Sequence, residues 1–360
     1  MADRDAQREI ALLRLVAQGV AGSRRDSPER AVRRLLCLQA QDYWSGVASV
    51  ALRSGTSIAA VEAALNAGTL VRGWPLRGTL HLVGASDLGW LRELLAGREL
   101  AAAARLEARL GIDSHLLGRA EHIAVETLSS DGPSTRAELM AAWQAGGIDT
   151  SSQRGYHLIW HLAHTGAVYF GPVRNGQQLL ALGGQQTHAL AGLARDEALR
   201  TLARRYFDGH GPATPADLAR WANLTTADTR LAVAAARPQL AALTVDDTEY
   251  LLGQDTQDEL ASCREEALDV IALPGFDEML FGYRDRTPTL PDDMSANVFP
   301  HRNGIPSCTV LVNGQVAATW RRPAKRRGEI DEITPLVPLT EQIMRSAARK
   351  ASALAPSAAG

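Results

Sequence analysis

The sequence predicts a mostly α-helical protein with β-hairpins, organised as three tandem winged-helix domains and a strand-rich C-terminal region. Three observations lead to this prediction. The same order of patterns, three helices and then a hairpin, occurs three times along the 360 residues. The phrases GPSTRAELMAAW and GPATPADLARWANL are similar enough to count as an internal repeat. After Ala261 the pattern changes to short apolar strands separated by turn residues.

The first predicted domain covers residues 1–115. REIALLRLVAQG is its first helix, and Ser27-Pro28 caps the second, PERAVRRLLCLQ. SIAAVEAALNAG is the third helix, and the wing consists of TLVRGW and RGTLHLV. In this register Gln39 and Gln41 lie where the second helix ends.

The second predicted domain covers residues 116–188. Its helices are AEHIAVETLSS, STRAELMAAW and SSQRGYHLIWHLAHTG. Thr135 and Glu138 have the spacing of a capping box, and Gly166 ends the third helix. The strands AVYFG and QQLLAL then turn on Asn175-Gly176, a strong hairpin signal.

The third predicted domain, residues 189–260, has the same order. Its helices are RDEALRTLARRYFDGHG, PATPADLARWANL and TTADTRLAVAAARPQL, and Thr214 and Pro215 occupy the N-cap and N1 positions of the second. LTVDDTEYLL supplies a strand, an acidic turn and another strand.

The C-terminal region, residues 261–345, is predicted to be rich in strands. ALDVIALP, SCTVLVN and QVAATWRR have strand composition, and Asn303-Gly304 and Asn313-Gly314 mark turns. We expect the tail, residues 346–360, to be disordered.

Composition and charge exclude several classes of protein. No run approaches 18 apolar residues, and the start MADRDAQREI is too polar for a signal peptide, so we expect a cytoplasmic protein. Cys37, Cys263 and Cys308 are far apart and form no Cys-x-x-Cys pair. We therefore expect neither a disulfide framework nor a metal site, and no cofactor.

One basic run stands out in a chain whose net charge is only −2. RRPAKRRGEIDEI lies between strand patterns, where a basic hairpin could enter a DNA groove. A solvated charged hairpin is the plainer alternative. The candidate DNA-binding residues are Arg321, Arg322, Lys325, Arg326 and Arg327.

The phrase LLCLQAQDYW places two amides, Gln39 and Gln41, on either side of Ala40. Residues two apart point to nearly opposite sides of a helix but share a face of an extended chain. If the helix unwinds at about Leu38, both amides can address one point. Asp42 would then point away from their shared face.

Four phrases resemble the AlkZ/YcaQ-like bacterial DNA glycosylases: LCLQAQD, RGTLHLV, LPGFDEMLFGYRDR and GQVAATWRR. They occur in the expected order, and the resemblance covers nearly the whole chain, from about Ile10 to Leu339. The Gln-apolar-Gln form of the motif is similar to the AlkZ-like branch rather than the YcaQ-like branch, which has Gln-apolar-Asp.

This resemblance implies three winged helices around a channel for double-stranded DNA, and excision of N-alkylated bases. Gln39 and Gln41 match the family's catalytic pair. The AlkZ-like branch includes self-resistance enzymes that act on bulky adducts or interstrand crosslinks from genotoxic antibiotics. We expect a monomeric, nucleoid-associated, monofunctional glycosylase that removes cationic N-alkylpurines.

Several further residues have both a functional and a plain interpretation. Alternation in TLHLV places His81 opposite Leu80 and Leu82, facing solvent or the DNA channel, and Arg77 is a candidate phosphate contact. Tyr43 and Trp44 could line a lesion pocket by stacking. The plain alternative for each is an ordinary surface or core position.

Two clusters favour a structural interpretation. In FDEMLFGYRDR we expect an ion-pair network that fixes a loop, with Asp277 or Arg286 at the channel wall as the alternative. His157, His161 and His164 are interpreted as polar or packing residues of a helix rather than zinc ligands, because no acidic partner lies nearby in the sequence.

Two alternatives to catalysis are a tandem winged-helix transcription regulator and a silent lesion sensor. A regulator would usually form a symmetric dimer on two half-sites. The three repeats differ from one another and offer no obvious dimer helix, which favours the enzyme.

Overall fold

The computed structural model describes residues 2–23, 26–184, 192–300, 304–321 and 332–354. The chain divides into two compact units, one comprising Met1–Val61 with Leu199–Gly360 and the other Glu62–Ala198. The predicted boundaries of the winged-helix domains remain a prediction. No helix of the described part is both long and apolar enough to cross a membrane.

The N-terminal part of the first unit contains the predicted helices and one more. Its elements are α1 (Ala2–Ala17), α2 (Pro28–Leu35), β1 (Cys37–Gln39), α3 (Tyr43–Ser54) and the start of α4 (Ile58–Asn66). Ser27 caps α2 as predicted, because its side chain accepts a hydrogen bond from Arg30 N at 3.2 Å. The sequence did not predict α3.

The second unit is a helical layer on an antiparallel sheet. Its elements are β2 (Leu70–Leu76), β3 (Thr79–Gly84), α5 (Ala85–Leu110), α6 (Ser114–Ser130), α7 (Arg136–Ala145), α8 (Arg154–Thr165), β4 (Val168–Arg174) and β5 (Gln177–Leu182). The strands follow the order β3-β2-β4-β5. The capping box of Thr135 and Glu138 is confirmed, and Asn175-Gly176 forms the expected hairpin turn.

The rest of the first unit begins with the third repeat. Its elements are α9 (Arg195–His210, which enters this unit at Leu199), α10 (Pro215–Ala222), α11 (Thr226–Ala236), β6 (Ala241–Val245) and β7 (Thr248–Leu252). Thr214 caps α10 as predicted, in a capping box with Asp217. Three helices and a hairpin therefore follow in the order that the sequence predicted.

The C-terminal region contains a four-stranded antiparallel sheet together with helices. Its elements are α12 (Thr256–Leu268), β8 (Ile271–Leu273), α13 (Glu278–Phe281), α14 (Ser295–Val298), β9 (Cys308–Val312), β10 (Gln315–Arg321), β11 (Glu332–Pro335) and α15 (Glu341–Leu354). The strand order is β11-β10-β9-β8. Asn313-Gly314 forms a predicted turn, with φ of 54° and 78°.

The expectation of a disordered tail from residue 346 is wrong as far as Leu354, because α15 continues to that residue. Ala347, Ala351 and Leu354 are buried against Val270 and other apolar residues of the sheet. Their spacing of three and four residues places them on one helix face. The sequence did not indicate this buried face, because small Ala and Ser residues give no clear apolar periodicity.

Candidate active site

The two glutamines lie in a short extended segment between two helices. Helix α2 ends at Leu35. The next residue, Leu36, has φ of 70° and ψ of −51°, a backbone conformation that is incompatible with an α-helix. Cys37–Gln39 is the strand β1, and α3 begins at Tyr43. Unwinding of the helix before the amides is therefore confirmed, and it occurs two to three residues earlier than expected.

The segment is anchored on its core side and open at Gln41. Gln39 is 6% exposed and Ala40 is fully buried, whereas Gln41 is exposed. Gly46 of α3 allows Ala40 to approach, since a Cβ at Gly46 would lie 2.5 Å from the Ala40 Cβ. The two amides therefore differ in burial, and Gln41 is the more accessible of the two.

Asp42 has a local structural function. It is the N-cap of α3, and its carboxylate accepts a hydrogen bond from Ser45 N at 2.8 Å. A cap of this kind holds the carboxylate beside the helix end and fixes the start of α3 directly after the motif.

A buried carboxylate holds the backbone of Gln39. Glu278 of α13 is 1% exposed, and its Oε1 accepts a hydrogen bond from Gln39 N at 3.0 Å. Its Oε2 accepts from Trp221 Nε1 at 3.1 Å and lies 3.3 Å from His210 Nε2. Three elements, α9, α10 and α13, thus meet behind the glutamine segment.

Two buried tyrosines extend this network. Tyr206 stacks on the His210 ring with centroids 4.6 Å apart, and its hydroxyl donates to the Gly282 carbonyl. Tyr283 donates to the His210 carbonyl at 2.8 Å. Burial raises the pKa of both phenols above the ordinary tyrosine value, so both remain protonated donors at neutral pH.

Asp277, next to Glu278, forms the expected ion pair in the interior. Its two carboxylate oxygens accept hydrogen bonds from Nη1 and Nη2 of Arg53, each at 2.8 Å. Both side chains are fully buried. Ser49 Oγ donates to the same carboxylate at 2.6 Å. The structural interpretation of FDEMLFGYRDR is confirmed for Asp277, although its partner comes from α3 and not from the phrase itself.

The alternative positions at a channel wall are not supported. Asp277 is 1% exposed, so it lies in the interior. The Arg286 guanidinium lies over the rings of Phe281 and Phe299, 5.3 and 4.9 Å from their centroids. Packing against aromatic rings of its own unit accounts for the position of Arg286.

Tyr43 and Trp44 open α3, and both are half-buried. The Trp44 ring meets the buried Trp320 ring edge to face, with centroids 6.0 Å apart, and packs against the C-terminal apolar cluster. Core packing thus accounts for Trp44. A stacking function of Tyr43 on a lesion stays a prediction.

In the second unit, the wing that carries Arg77 and His81 differs from expectation. His81 is fully buried, like Leu80 and Leu82 on the other face, so the expectation that it faces solvent or a channel is wrong. The error has a physical reason. Both faces of β3 are buried, and alternation of apolar and polar residues identifies the exposed face of a strand only when one face contacts solvent. Its Nδ1 lies 2.8 Å from the Thr79 carbonyl oxygen.

Arg77 forms the hairpin turn with Gly78, where both residues have positive φ, 55° and 61°. Its guanidinium lies 3.3 Å from His81 Nε2. The structure therefore places Arg77 at the wing tip, half-buried and turned back toward the strand. Its contact with a phosphate stays a prediction.

The histidines of α8 do have an acidic partner, which corrects the sequence analysis. Glu107 of α5 lies 3.1 Å from His157 and 2.9 Å from His161. Burial would raise the pKa of Glu107, but its hydrogen bonds with both histidines outweigh this effect and lower it. Glu107 was missed because 50 residues separate it from His157.

Burial lowers the pKa of His164 to about 4, so this ring is neutral and packs against Trp160, 3.8 Å away between centroids. Within the described ranges, no group of three or more His, Cys, Asp or Glu side chains could hold a metal ion.

The basic run is described only at its first residue. Arg321 ends β10 and is exposed. Arg322, Lys325, Arg326 and Arg327 lie outside the described residues.

The family model for AlkZ-like DNA glycosylases matches residues 32–357, which is most of the chain. The protein belongs to the AlkZ-like DNA glycosylase family. The resemblance inferred from four phrases is confirmed, and the family name identifies an enzyme rather than a transcription regulator or a silent sensor.

Two comparisons with AlkZ-like proteins agree with this assignment. The chain is 25% identical over 334 residues to an interstrand DNA cross-link repair glycosylase of Streptomyces sahachiroi, covering 87% of each protein. The solved structure of the Streptomyces sahachiroi DNA glycosylase AlkZ matches 96% of each chain, with a TM-score of 0.78 and 22% identity. This likeness confirms the predicted mostly α fold with β-hairpins.

In this AlkZ-like chain, the sequence predicted a function for Gln39 and Gln41 but gave no indication of the residues that pack behind them. Glu278 lay within a recognised phrase, yet 239 residues separate it from Gln39. Nothing in the sequence around His210 and Trp221 indicates that they contact the glutamine segment, because each has the pattern of an ordinary helix residue. Only packing brings them to the motif.

Proposed function

We propose that this AlkZ-like glycosylase hydrolyses the N-glycosidic bond of cationic N-alkylpurines in double-stranded DNA and leaves an abasic site. N7-alkylguanine is the proposed lesion type, and bulky adducts and interstrand crosslinks are among the proposed substrates. We further propose that the protein acts as a monomer.

The observation that carries this proposal is the uncharged motif, in which the exposed Gln41 follows two residues after the anchored Gln39. Alkylation at N7 makes the base a good leaving group, and the transition state resembles an oxocarbenium ion. Such a reaction needs a positioned water and dipoles that stabilise the sugar cation more than it needs an acid. An amide oxygen accepts a hydrogen bond and its NH2 donates one, so two amides can orient one water.

We assign orientation of the attacking water to Gln41, and to Gln39 a share in that task or stabilisation of the sugar cation. Two amides supply no strong acid, so a neutral base would remain a poor leaving group. Unmodified DNA is thereby protected.

The substrate range includes lesions that resist extrusion from the duplex. Base flipping is the usual route of enzymes that act on a base. A crosslinked base cannot be extruded freely, and the exposed position of Gln41 suits attack beside the duplex. The Streptomyces sahachiroi relative carries the name of an interstrand cross-link repair enzyme, which supports extending the proposal to crosslinks.

The test is single-turnover incubation with a duplex that contains one N7-methylguanine, followed by alkali to cleave any abasic site. We expect a strand break at that position and none in the matched duplex with unmodified guanine. A second duplex with a guanine–guanine N7 crosslink should release the two separate strands on a denaturing gel. Absence of product from both lesions would contradict the proposal.

We expect the strand break to require alkali, because water and not an amine is the proposed nucleophile. The two lysines of the chain are Lys325 and Lys350, and the Lys350 ammonium lies 2.6 Å from Asp269. Borohydride should therefore trap no covalent protein–DNA adduct. A trapped adduct would show a lyase and overturn the monofunctional assignment.

The double variant Arg326→Gln with Arg327→Gln should bind any duplex more weakly, and its binding should depend less on salt concentration. Each lost phosphate contact lowers the slope of log K against log salt by roughly one unit. Titration of a fluorescent duplex at several salt concentrations measures this slope. The control is the double variant Arg345→Gln with Arg349→Gln on α15, which also removes two positive charges from exposed side chains. An unchanged slope would remove the basic run from the DNA interface.

A further inference from the structure

Three close approaches fix the segment that leads to Gln41, all within the first unit. Gly209 of α9 lets that helix contact the end of α2, because a Cβ at Gly209 would collide with the Arg34 carbonyl oxygen. Gly46 lets α3 contact Ala40. Between these contacts, the Gln39 N–H donates to Glu278. The first two are steric, and the third is the polar contact that orients the peptide plane.

Glu278 is itself held in one orientation. Trp221 Nε1 donates to its Oε2, and His210 Nε2 contacts the same oxygen. The other oxygen, Oε1, accepts the hydrogen bond from Gln39 N. Gly282 makes room for this arrangement, since a Cβ there would lie 2.8 Å from the His210 ring and 3.3 Å from Glu278 Oε2. The carboxylate therefore cannot rotate without breaking contacts on two helices.

The His210–Glu278 contact also explains how a carboxylate can lie in this interior. His210 Nδ1 lies 3.3 Å from the Tyr206 carbonyl oxygen, so the ring is held between this oxygen and Glu278 Oε2. Trp221 Nε1 donates to the same Oε2, and Gln39 N donates to Oε1. Hydrogen bonds to both oxygens reduce the cost of burying the carboxylate.

Stability alone does not favour this arrangement. A buried pair of ionisable groups is often no more stabilising than apolar residues of similar volume. Its geometric effect is specific, because a hydrogen bond to a fixed carboxylate sets the direction of the Gln39 peptide. Gln41 follows two residues later, on the exposed side of the same segment.

We propose that Glu278 is a positioning residue for base excision: its buried carboxylate, oriented by His210 and Trp221, holds the Gln39 backbone so that both amides face the reacting sugar. This inference rests on the proposed function of Gln39 and Gln41. Glu278 touches no substrate in this mechanism and acts only through the segment that carries the glutamines.

The experiment compares Glu278→Met, which fills the volume but accepts no strong hydrogen bond, with Glu278→Gln, which keeps one acceptor oxygen for Gln39. Ser49→Ala is the matched control, because it removes a hydrogen bond to the neighbouring buried carboxylate of Asp277. Single-turnover excision of N7-methylguanine gives the maximal rate, and a separate titration gives the Kd for the duplex. Hydrogen exchange of the peptide 36–42 reports on the Gln39 amide.

We expect Glu278→Met to lower the maximal rate by roughly 10- to 100-fold, with Kd changed less than twofold. Exchange of the peptide 36–42 should become faster. Glu278→Gln should recover part of the rate, and Ser49→Ala should keep it. A wild-type rate for Glu278→Met, or a proportional loss of rate and affinity, would overturn the inference.

The two proposals fail in different ways. If the wild-type protein releases no base from any lesion, the proposed function fails. The exchange measurement then decides the positioning inference by itself. Faster exchange in Glu278→Met alone supports it, and equal exchange in Glu278→Met and wild type overturns it.

Discussion

Replacement of Gln41 by Ala is expected to lower the single-turnover excision rate by about 100- to 1000-fold while leaving the Kd for lesion DNA nearly unchanged. The magnitude is that of removing one preorganised hydrogen-bonding group from a transition state. Gln41 is exposed, so its truncation removes no core packing. Alkali cleavage of the N7-methylguanine duplex measures the rate, and a binding titration measures Kd.

Asp42→Asn is the matched control for this variant. Asn is as good an N-cap as Asp, so the hydrogen bond with Ser45 and the start of α3 should persist. We expect the wild-type rate, because the carboxylate is assigned to the cap and not to the reaction. A large loss of excision rate for Asp42→Asn would contradict the function assigned to Asp42. An equal loss of rate and affinity for Gln41→Ala would contradict the function assigned to Gln41.

The second large effect concerns stability. Asp277→Ala should reduce the free energy of unfolding by about 3–5 kcal/mol, because it leaves the Arg53 guanidinium buried without its carboxylate. Both side chains are fully buried, so solvent does not screen the pair. Guanidinium chloride unfolding followed by tryptophan fluorescence measures the loss.

The double variant Arg53→Leu with Asp277→Leu separates the ion pair from the packing. It should be more stable than Asp277→Ala, since no uncompensated charge remains. If Asp277→Ala costs less than about 1 kcal/mol, the pair does not have the energetic weight that we assign to a fully buried salt bridge.

Local signals in the sequence predicted much of the fold correctly. Thr135 and Thr214 begin helices, and Asn175-Gly176 and Asn313-Gly314 form turns, as their spacing indicated. Caps and tight turns are satisfied by partners within about four residues, so the necessary information lies in one short phrase.

Burial and long-range partners were less accessible to prediction. His81 is buried although its strand alternates, and α15 extends into a segment whose composition indicated disorder. Residues of the C-terminal sheet bury one face of α15, and His81 is buried although its strand pattern does not indicate it. Covering depends on how elements pack, and a single strand or helix pattern does not record it.

The sequence by itself determined the order of three helices and a hairpin in the second and third repeats, the motif Gln39-Ala40-Gln41 and, through four phrases, the family. Only the tertiary structure decided that Gln39 is anchored and Gln41 exposed, and that Glu278 holds the segment from 239 residues away. The physical reason is the range of the interactions. A backbone turn or cap is completed by adjacent residues, whereas a buried carboxylate finds its donors only after α9, α10 and α13 have packed together.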